Sequence, residues 1–248
     1  MDGTKREIRQ EMRRRRRALS ATQRTAMGRA VARHVAGLRC FRDAASVIGY
    51  VATDNEVPTE AILAAAQRAG KRVYLPRLNG GTMYFAEYEC GADLRPGALG
   101  IPEPLGAQLE ERDVADAFAV VPLLAWDASG SRVGRGGGHY DRAFGGATRP
   151  RCLVGLGYTF QQHVALPRDA WDLRLDWVVT ERGALCCWRG GESSPSGKEG
   201  AQANVVSSNG ADHHRARRRA GLGGGHTPAP AGRRAGSSDA RDRRSSSR

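Results

Sequence analysis

Apolar residues recur at helical spacing near the start of the chain, where Ile8, Met12 and Leu19 share a stripe and Lys5, Arg9, Arg13 and Arg16 lie toward another side. That period predicts a strongly basic amphipathic helix over 4–18. Ser20 with Gln23 reads as a capping box opening a second helix, with Met27, Val31, His34 and Leu38 at helical spacing and His34 an ordinary core or boundary histidine. The pattern then shortens. A β-branched run over 45–51 predicts a strand, 52–57 a polar loop, and Pro58 opens a helix that runs to 69 and is closed by Gly70. Strand, loop and helix in that order place Glu56 at the carboxyl end of a strand, where open α/β sheets build their sites. Residues 72–76 supply the next strand, and 83–88 an antiparallel one across the turn Asn79-Gly80-Gly81.

The second half is more apolar. A long ordered loop rich in Pro and Gly covers 93–106, and 118–124 is a nearly continuous apolar strand, as a sheet covered on both faces requires. A short helix is expected over 139–144, a buried strand over 152–156, a turn or helix over 161–165, and the last strand over 176–180. Strands alternating with helices predict an α/β sandwich with a largely parallel sheet.

Composition changes the picture after about residue 189. Apolar residues nearly vanish there, and Gly, Ser, Pro, Ala and Arg take over. Such a segment buries too little surface to offset its ordering entropy, so the expectation is one domain over 1–189 and a disordered basic tail over 190–248. The net charge of +13 is concentrated at the ends: residues 191–248 hold 11 Lys and Arg against 5 acids, and residues 1–19 hold 8 against 3. The rest of the chain is close to neutral, so the pI says little about the chemistry of the core. The tail reads as a dispensable extension with weak, non-specific affinity for nucleic acid.

Cys40, Cys90, Cys152, Cys186 and Cys187 are odd in number and show no CxxC or Cys/His ligand spacing. Neither a disulfide framework nor a zinc site is expected, which points to a reducing cytoplasm. No signal peptide, membrane span or internal repeat is apparent. The chain is expected to act as a monomer.

The densest chemistry lies in 132–142, RVGRGGGHYDR, which follows the apolar run and a turn over 127–130. Four glycines let backbone N–H groups come close to a ligand, and a helix start behind them adds donors, so the loop suits an anion. Arg132, Arg135 and Arg142 beside it favour phosphate over an empty flexible turn, and Asp141 can hold a metal ion. The spacing matches neither the P-loop nor the dinucleotide fingerprint.

Several ordered blocks together carry a more specific signal: the basic KxxxR start, EVPT, KRVYLPRL, VVPLLAWDASGSRVGRGGGHYDR, VGLGYTFQQ and LPRDAWDLRLDWVVTE. Over residues 4–182 the chain resembles the 5-formyltetrahydrofolate cyclo-ligases, also called 5,10-methenyltetrahydrofolate synthetases. The resemblance implies a Rossmann-like three-layer sandwich and a ligase that forms a carbon–nitrogen bond. It implies ATP- and Mg2+-dependent closure of 5-formyltetrahydrofolate to 5,10-methenyltetrahydrofolate through a phosphorylated formyl group, with ADP and phosphate released. Positioning and charge neutralisation then do the catalytic work.

Residue by residue, the resemblance assigns Lys5 and Arg9 to the phosphates of ATP, the alternative being a solvated basic face. Arg132, Val133, Gly134, Arg135, Gly136, Gly137, Gly138, His139 and Tyr140 match the loop that wraps ATP, and Arg135 and Lys5 are the catalytic candidates. Val51, Glu56, Arg135 and His139 face the folate, although Glu56 read alone is also an ordinary loop acid. Asp141 and Asp172 match magnesium ligands, although either alone could be a helix cap or an ion-pair partner. The chain departs from the family pattern at His139, where many members carry a second aromatic, and at Gly137, where some carry lysine. Trp126, Trp171 and Tyr158 could stack on a pterin, but aromatics in such places are more often packing and they are left out of the binding set. Two rival readings are a nucleic-acid-binding protein using Arg13 to Arg17 and the tail on the same fold, for which no RNP, KH or zinc-finger pattern is present, and a phosphate-transfer enzyme acting on another one-carbon or sugar substrate.

Overall fold

The computed structural model describes residues 4–145 and 148–187. The expected boundary near 189 and the basic tail lie outside the described residues. The chain forms helix α1 (Lys5–Arg17), α2 (Ala21–Gly37), a short α3 (Arg39–Asp43), strand β1 (Ser46–Ile48), α4 (Glu60–Arg68), β2 (Arg72–Asn79), β3 (Thr82–Glu87), β4 (Arg95–Pro96), β5 (Pro102–Glu103), α5 (Glu111–Val114), β6 (Phe118–Pro122), β7 (Ala125–Asp127), β8 (Arg132–Val133), α6 (His139–Ala143), β9 (Cys152–Leu156), β10 (Gln162–His163), β11 (Trp177–Thr180) and β12 (Gly183–Cys186).

Seven strands make the main sheet in the order β12-β11-β9-β6-β1-β2-β3. Its five inner strands are mutually parallel, while β3 and β12 pair antiparallel at the two edges. The order runs outward from β1 in both directions, so the topological switch lies between β1 and β6. A crevice at the carboxyl ends of those two strands is where such a sheet places a ligand.

Burial on both faces explains the unbroken apolar runs. Along β6, Phe118 and Val120 pack with α2, α3 and α4 residues Val31, Phe41 and Ile62 on one face, whereas Ala119 and Val121 point to the other, against Val114 and Phe144. The β2–β3 turn follows the sequence signal, since Gly80 (φ +55°) and Gly81 (φ +85°) supply the two left-handed positions of a tight hairpin.

Several expectations need correction. The strand over 176–180 is not the last, because β12 returns beside it. The helix behind Pro58 starts at Glu60, and the second helix ends at Gly37 before a separate α3. Residues 161–165 hold the end of a 3-10 turn and then β10, which pairs parallel to β7. The loop 93–106 carries the small β4–β5 ladder. Arg16 does not lie on a solvated face: its side chain is 1% exposed. It continues the stripe of Ile8 and Met12, which bury against Leu124, Val133 and Leu166 at about 2 kcal/mol per side chain. Among the described residues no helix is long and apolar enough to cross a membrane.

Candidate functional site

A cavity of about 580 Å³ opens at the carboxyl edge of the sheet, with walls drawn from Tyr50 and Val51 after β1, Pro122 at the end of β6 and Leu123 after it, the β2–β3 hairpin, α1, the 132–142 segment and residues 169–172. Every residue singled out as a candidate in the sequence lines this one cavity: Lys5, Arg9, Val51, Glu56, Arg132 through Asp141, and Asp172.

The glycine loop is presented by the β7–β8 hairpin. Asp127 pins its turn by accepting from the amides of Ser129 (2.9 Å) and Ser131 (3.1 Å). The loop then passes through left-handed Gly136 (φ +107°) and Gly138 (φ +61°). Among the described residues, none of the backbone N–H groups of Gly134 to Gly138 finds a protein acceptor. Because α6 has only five residues, the dipole behind the loop is small, and the free amides are the main donors the loop could offer an anion. Val133 is 1% exposed and packs among Ile8 and Met12, which leaves its main chain as what it can offer a ligand.

Helix α1 is set against this loop. Its N-terminus is closed by a capping box between Thr4 and Glu7. Arg9 Nε donates to Gly134 O at 2.9 Å, so its terminal nitrogens remain for an anion. Lys5 Nζ donates to Asp169 (2.7 Å) and Asp172 (2.6 Å), which leaves one of its three N–H groups. Partial burial works against the ammonium, yet the two carboxylates outweigh it, and the Lys5 pKa lies above that of a free lysine. Burial likewise works against the Asp172 carboxylate, but the bonds from Lys5 and the Asp169 amide prevail and lower its pKa.

Arg132 donates Nη1 to Leu173 O and Nη2 to Asp141 Oδ1, both at 2.7 Å. The second oxygen of Asp141 and Oδ1 of Asp172 have no protein hydrogen bond among the described residues. Two hard oxygen donors on one cavity fit magnesium, which retains water and phosphate as its other ligands. No group of three or more His, Cys, Asp or Glu is gathered as a cage among the described residues, and a cation shared with a phosphate needs none.

On the same cavity, in contact with Arg135 of the glycine loop, Glu56 is buried. Its Oε2 accepts from the Thr53 amide at 3.0 Å, while Oε1 lies 3.2 Å from Arg135 Nε and 3.8 Å from Arg16 Nη1. Burial raises the Glu56 pKa, and the Thr53 amide and the two guanidiniums only partly offset this. Arg135 also donates to Thr53 Oγ1 at 2.6 Å, so it closes the glycine loop onto the Glu56 loop. His139 approaches Arg142, with Nδ1 3.3 Å from Nη2. Trp126 and Tyr158 pack inside, the indole donating to Tyr158 O at 3.2 Å. Trp171 does not pack: it is 73% exposed on the cavity rim. Asp169 and Arg16 were not among the sequence candidates for the site. The arginine run of α1 is not a free basic face either, since Arg14 and Arg15 pair with Glu11, and Arg13 and Arg16 with Asp54.

The 5-formyltetrahydrofolate cyclo-ligase family matches residues 1–181. The chain is 35% identical over 180 residues to the 5-formyltetrahydrofolate cyclo-ligase of Escherichia coli K12, covering 68% of this chain and 96% of that one. It is 34% identical to the enzyme of the same name from Haemophilus influenzae, over 68% of this chain and 93% of the relative. The solution structure of Aquifex aeolicus 5,10-methenyltetrahydrofolate synthetase superposes with a TM-score of 0.65 at 29% identity, covering 82% of this chain and 99% of that one. The Mycoplasma pneumoniae 5,10-methenyltetrahydrofolate synthetase, 22% identical with a TM-score of 0.59 over 73% of this chain and 99% of its own, shares the fold. The family match spans every element that lines the cavity, and the chain belongs to the 5-formyltetrahydrofolate cyclo-ligase family.

Proposed function

We propose that this cavity closes 5-formyltetrahydrofolate to 5,10-methenyltetrahydrofolate at the expense of ATP, with magnesium bound, through a phosphorylated formyl group. The observation that carries the reading is the pairing, across one cavity, of five consecutive unpartnered amides at Gly134 to Gly138 with the buried carboxylate of Glu56. The amide row, flanked by Lys5 and Arg9, suits polyphosphate. The carboxylate, on a cavity also lined by Tyr50, Leu78, Met83 and Leu123, suits a flat ring with N–H donors on one edge, as a pterin presents.

A formyl oxygen bound to carbon as an amide does not leave. Transfer of the terminal phosphoryl group of ATP to that oxygen makes it part of a phosphate, and ADP departs. The neighbouring folate nitrogen then attacks the formyl carbon, the carbon–oxygen bond breaks, phosphate leaves, and the proton on that nitrogen passes to solvent. Lys5 and Arg135 are the proposed catalytic groups, holding positive charge against the phosphoryl oxygens as it moves, while Arg9, Arg132 and the loop amides orient the nucleotide. Asp141 and Asp172 are the proposed magnesium ligands, and bound magnesium supplies neutralisation of the phosphate charge. Arg135 must let go of Glu56 for the substrate's donors to reach Oε1. Val51 and His139 flank the folate.

The assignment of the two ends is tested by titrating each ligand separately into Lys5→Ala and Arg9→Ala. ATP affinity should fall by about tenfold or more, the scale of one charge-assisted hydrogen bond, with 5-formyltetrahydrofolate affinity nearly unchanged. Equal losses for both ligands would make α1 a structural element only.

A further inference from the structure

Arg16 is the residue of α1 that the proposed chemistry leaves without a task. It is 0% exposed, yet its Nε and Nη1 have no hydrogen-bond partner among the described residues. Burying a guanidinium with unsatisfied donors is costly, so a purely structural role would be filled better by an apolar side chain. What Arg16 touches is the loop that carries Glu56. Its Nη2 donates to Asp54 Oδ2 at 2.5 Å, its Nη1 lies 3.8 Å from Glu56 Oε1, and its carbonyl accepts from Asn55 Nδ2 at 3.2 Å. Asp54 (φ +49°) and Asn55 (φ +56°) are consecutive left-handed residues, a conformation that needs outside support.

The surroundings of Glu56 contain two cations of different kinds. Arg135, on the glycine loop, is exposed and able to move off. Arg16, enclosed at the end of α1, is not. Asp54 adds negative charge on the same loop and is shared by Arg13 (3.6 Å) and Arg16. The phenols of Tyr50, Tyr140 and Tyr158 complete the surroundings; desolvation raises all three pKa values, so they stay neutral at physiological pH.

We infer that Arg16 is a positioning residue for folate: it fixes the Asp54–Asn55 turn and remains as the permanent counter-ion of Glu56 when Arg135 swings away to admit the substrate. The inference rests on the reading of Glu56 as a folate contact. It also gives α1 two duties roughly 17 Å apart, phosphate at Lys5 and folate at Arg16, from the rise of 1.5 Å per residue.

Steady-state kinetics of the full chain across pH test this, using Arg16→Met, Arg16→Lys and Glu56→Gln. Arg16→Met should raise KM for 5-formyltetrahydrofolate by about tenfold or more, leave KM for ATP within about twofold, and move the acidic limb of kcat/KM for folate to higher pH. Arg16→Lys should return the limb to its wild-type place while KM for folate stays a few-fold high, because the charge is restored without the fork. Should Arg16→Met fail to fold, Arg16→Lys decides: a wild-type KM for folate overturns the inference. So does an Arg16→Met variant that raises both KM values equally or leaves the limb unmoved while Glu56→Gln abolishes it. A Glu56→Gln variant with wild-type folate KM would instead remove the Glu56 assignment itself, and this inference with it.

Discussion

The imidazole of His139 lies over Gly137: a Cβ added at Gly137 would stand 2.7 Å from Cδ2 and 2.8 Å from Nε2 of that ring. The two departures from the family pattern are therefore one feature, because the ring occupies the space into which a side chain at position 137 would grow. Arg142 ties the pair together by donating Nη2 to Gly137 O at 2.9 Å while standing 3.3 Å from His139 Nδ1. Gly137, unlike Gly136 and Gly138, has no left-handed φ, so Gly137→Ala probes space alone. It should raise KM for 5-formyltetrahydrofolate about three- to tenfold by displacing the ring. In a His139→Ala background the same change should have little effect, a coupling of order 1 kcal/mol that a double-mutant cycle reads directly.

Asp141→Asn should leave the fold intact, since an amide oxygen can still accept from Arg132 and from the Leu173 amide as Oδ1 does now. It removes the charge that a metal ion needs. Turnover should fall by roughly 10²-fold, the effect of losing one preorganised electrostatic contact, and raising magnesium should recover part of it. Wild-type turnover at limiting magnesium would make Asp141 the ion-pair partner of Arg132 and nothing more.

Glu56 predicts two pH effects of opposite sign. On the proposed role of Glu56, folate binding needs the carboxylate, so affinity should fall as pH drops through the Glu56 pKa, and burial places that loss at higher pH than for an exposed glutamate. Stability responds the other way. A raised folded-state pKa means that the folded chain holds the proton more tightly, so this contribution is full below the unfolded value and is lost as pH rises through the folded one. The difference in Tm between Glu56→Gln and wild type should accordingly move in favour of the variant from pH 5 to pH 8, while its folate affinity loses the acidic limb. Thermal unfolding and titration over that range check both signs.

Much of the cavity lining was legible because its residues carry strong local signals. The glycines of 134–138, the polar loop ending in Glu56, and the basic turn at Lys5 and Arg9 each stand out within a few residues of sequence. Arg16 was missed although its spacing pointed inward, four residues after Met12 and eight after Ile8. A charged side chain reads as solvated until its partners are known, and Asp54 and Glu56 lie 38 and 40 residues away. The β7–β8–β10 sheet escaped for another reason, since strands of two or three residues carry no period. Asp169 and Trp171 stand in the block LPRDAWDLRLDWVVTE beside Asp172, but no local periodicity sets them apart from their neighbours as cavity residues.

Whether the cavity performs this ligation is decided by mixing purified protein with 5-formyltetrahydrofolate, ATP and magnesium and following the near-ultraviolet absorbance of the methenyl product together with ADP. The expected result is a product signal that requires both ATP and magnesium, with one ADP formed per methenyl group. Folded protein that binds ATP and 5-formyltetrahydrofolate yet forms product without consuming ATP, or that gives no product under any condition, would contradict it.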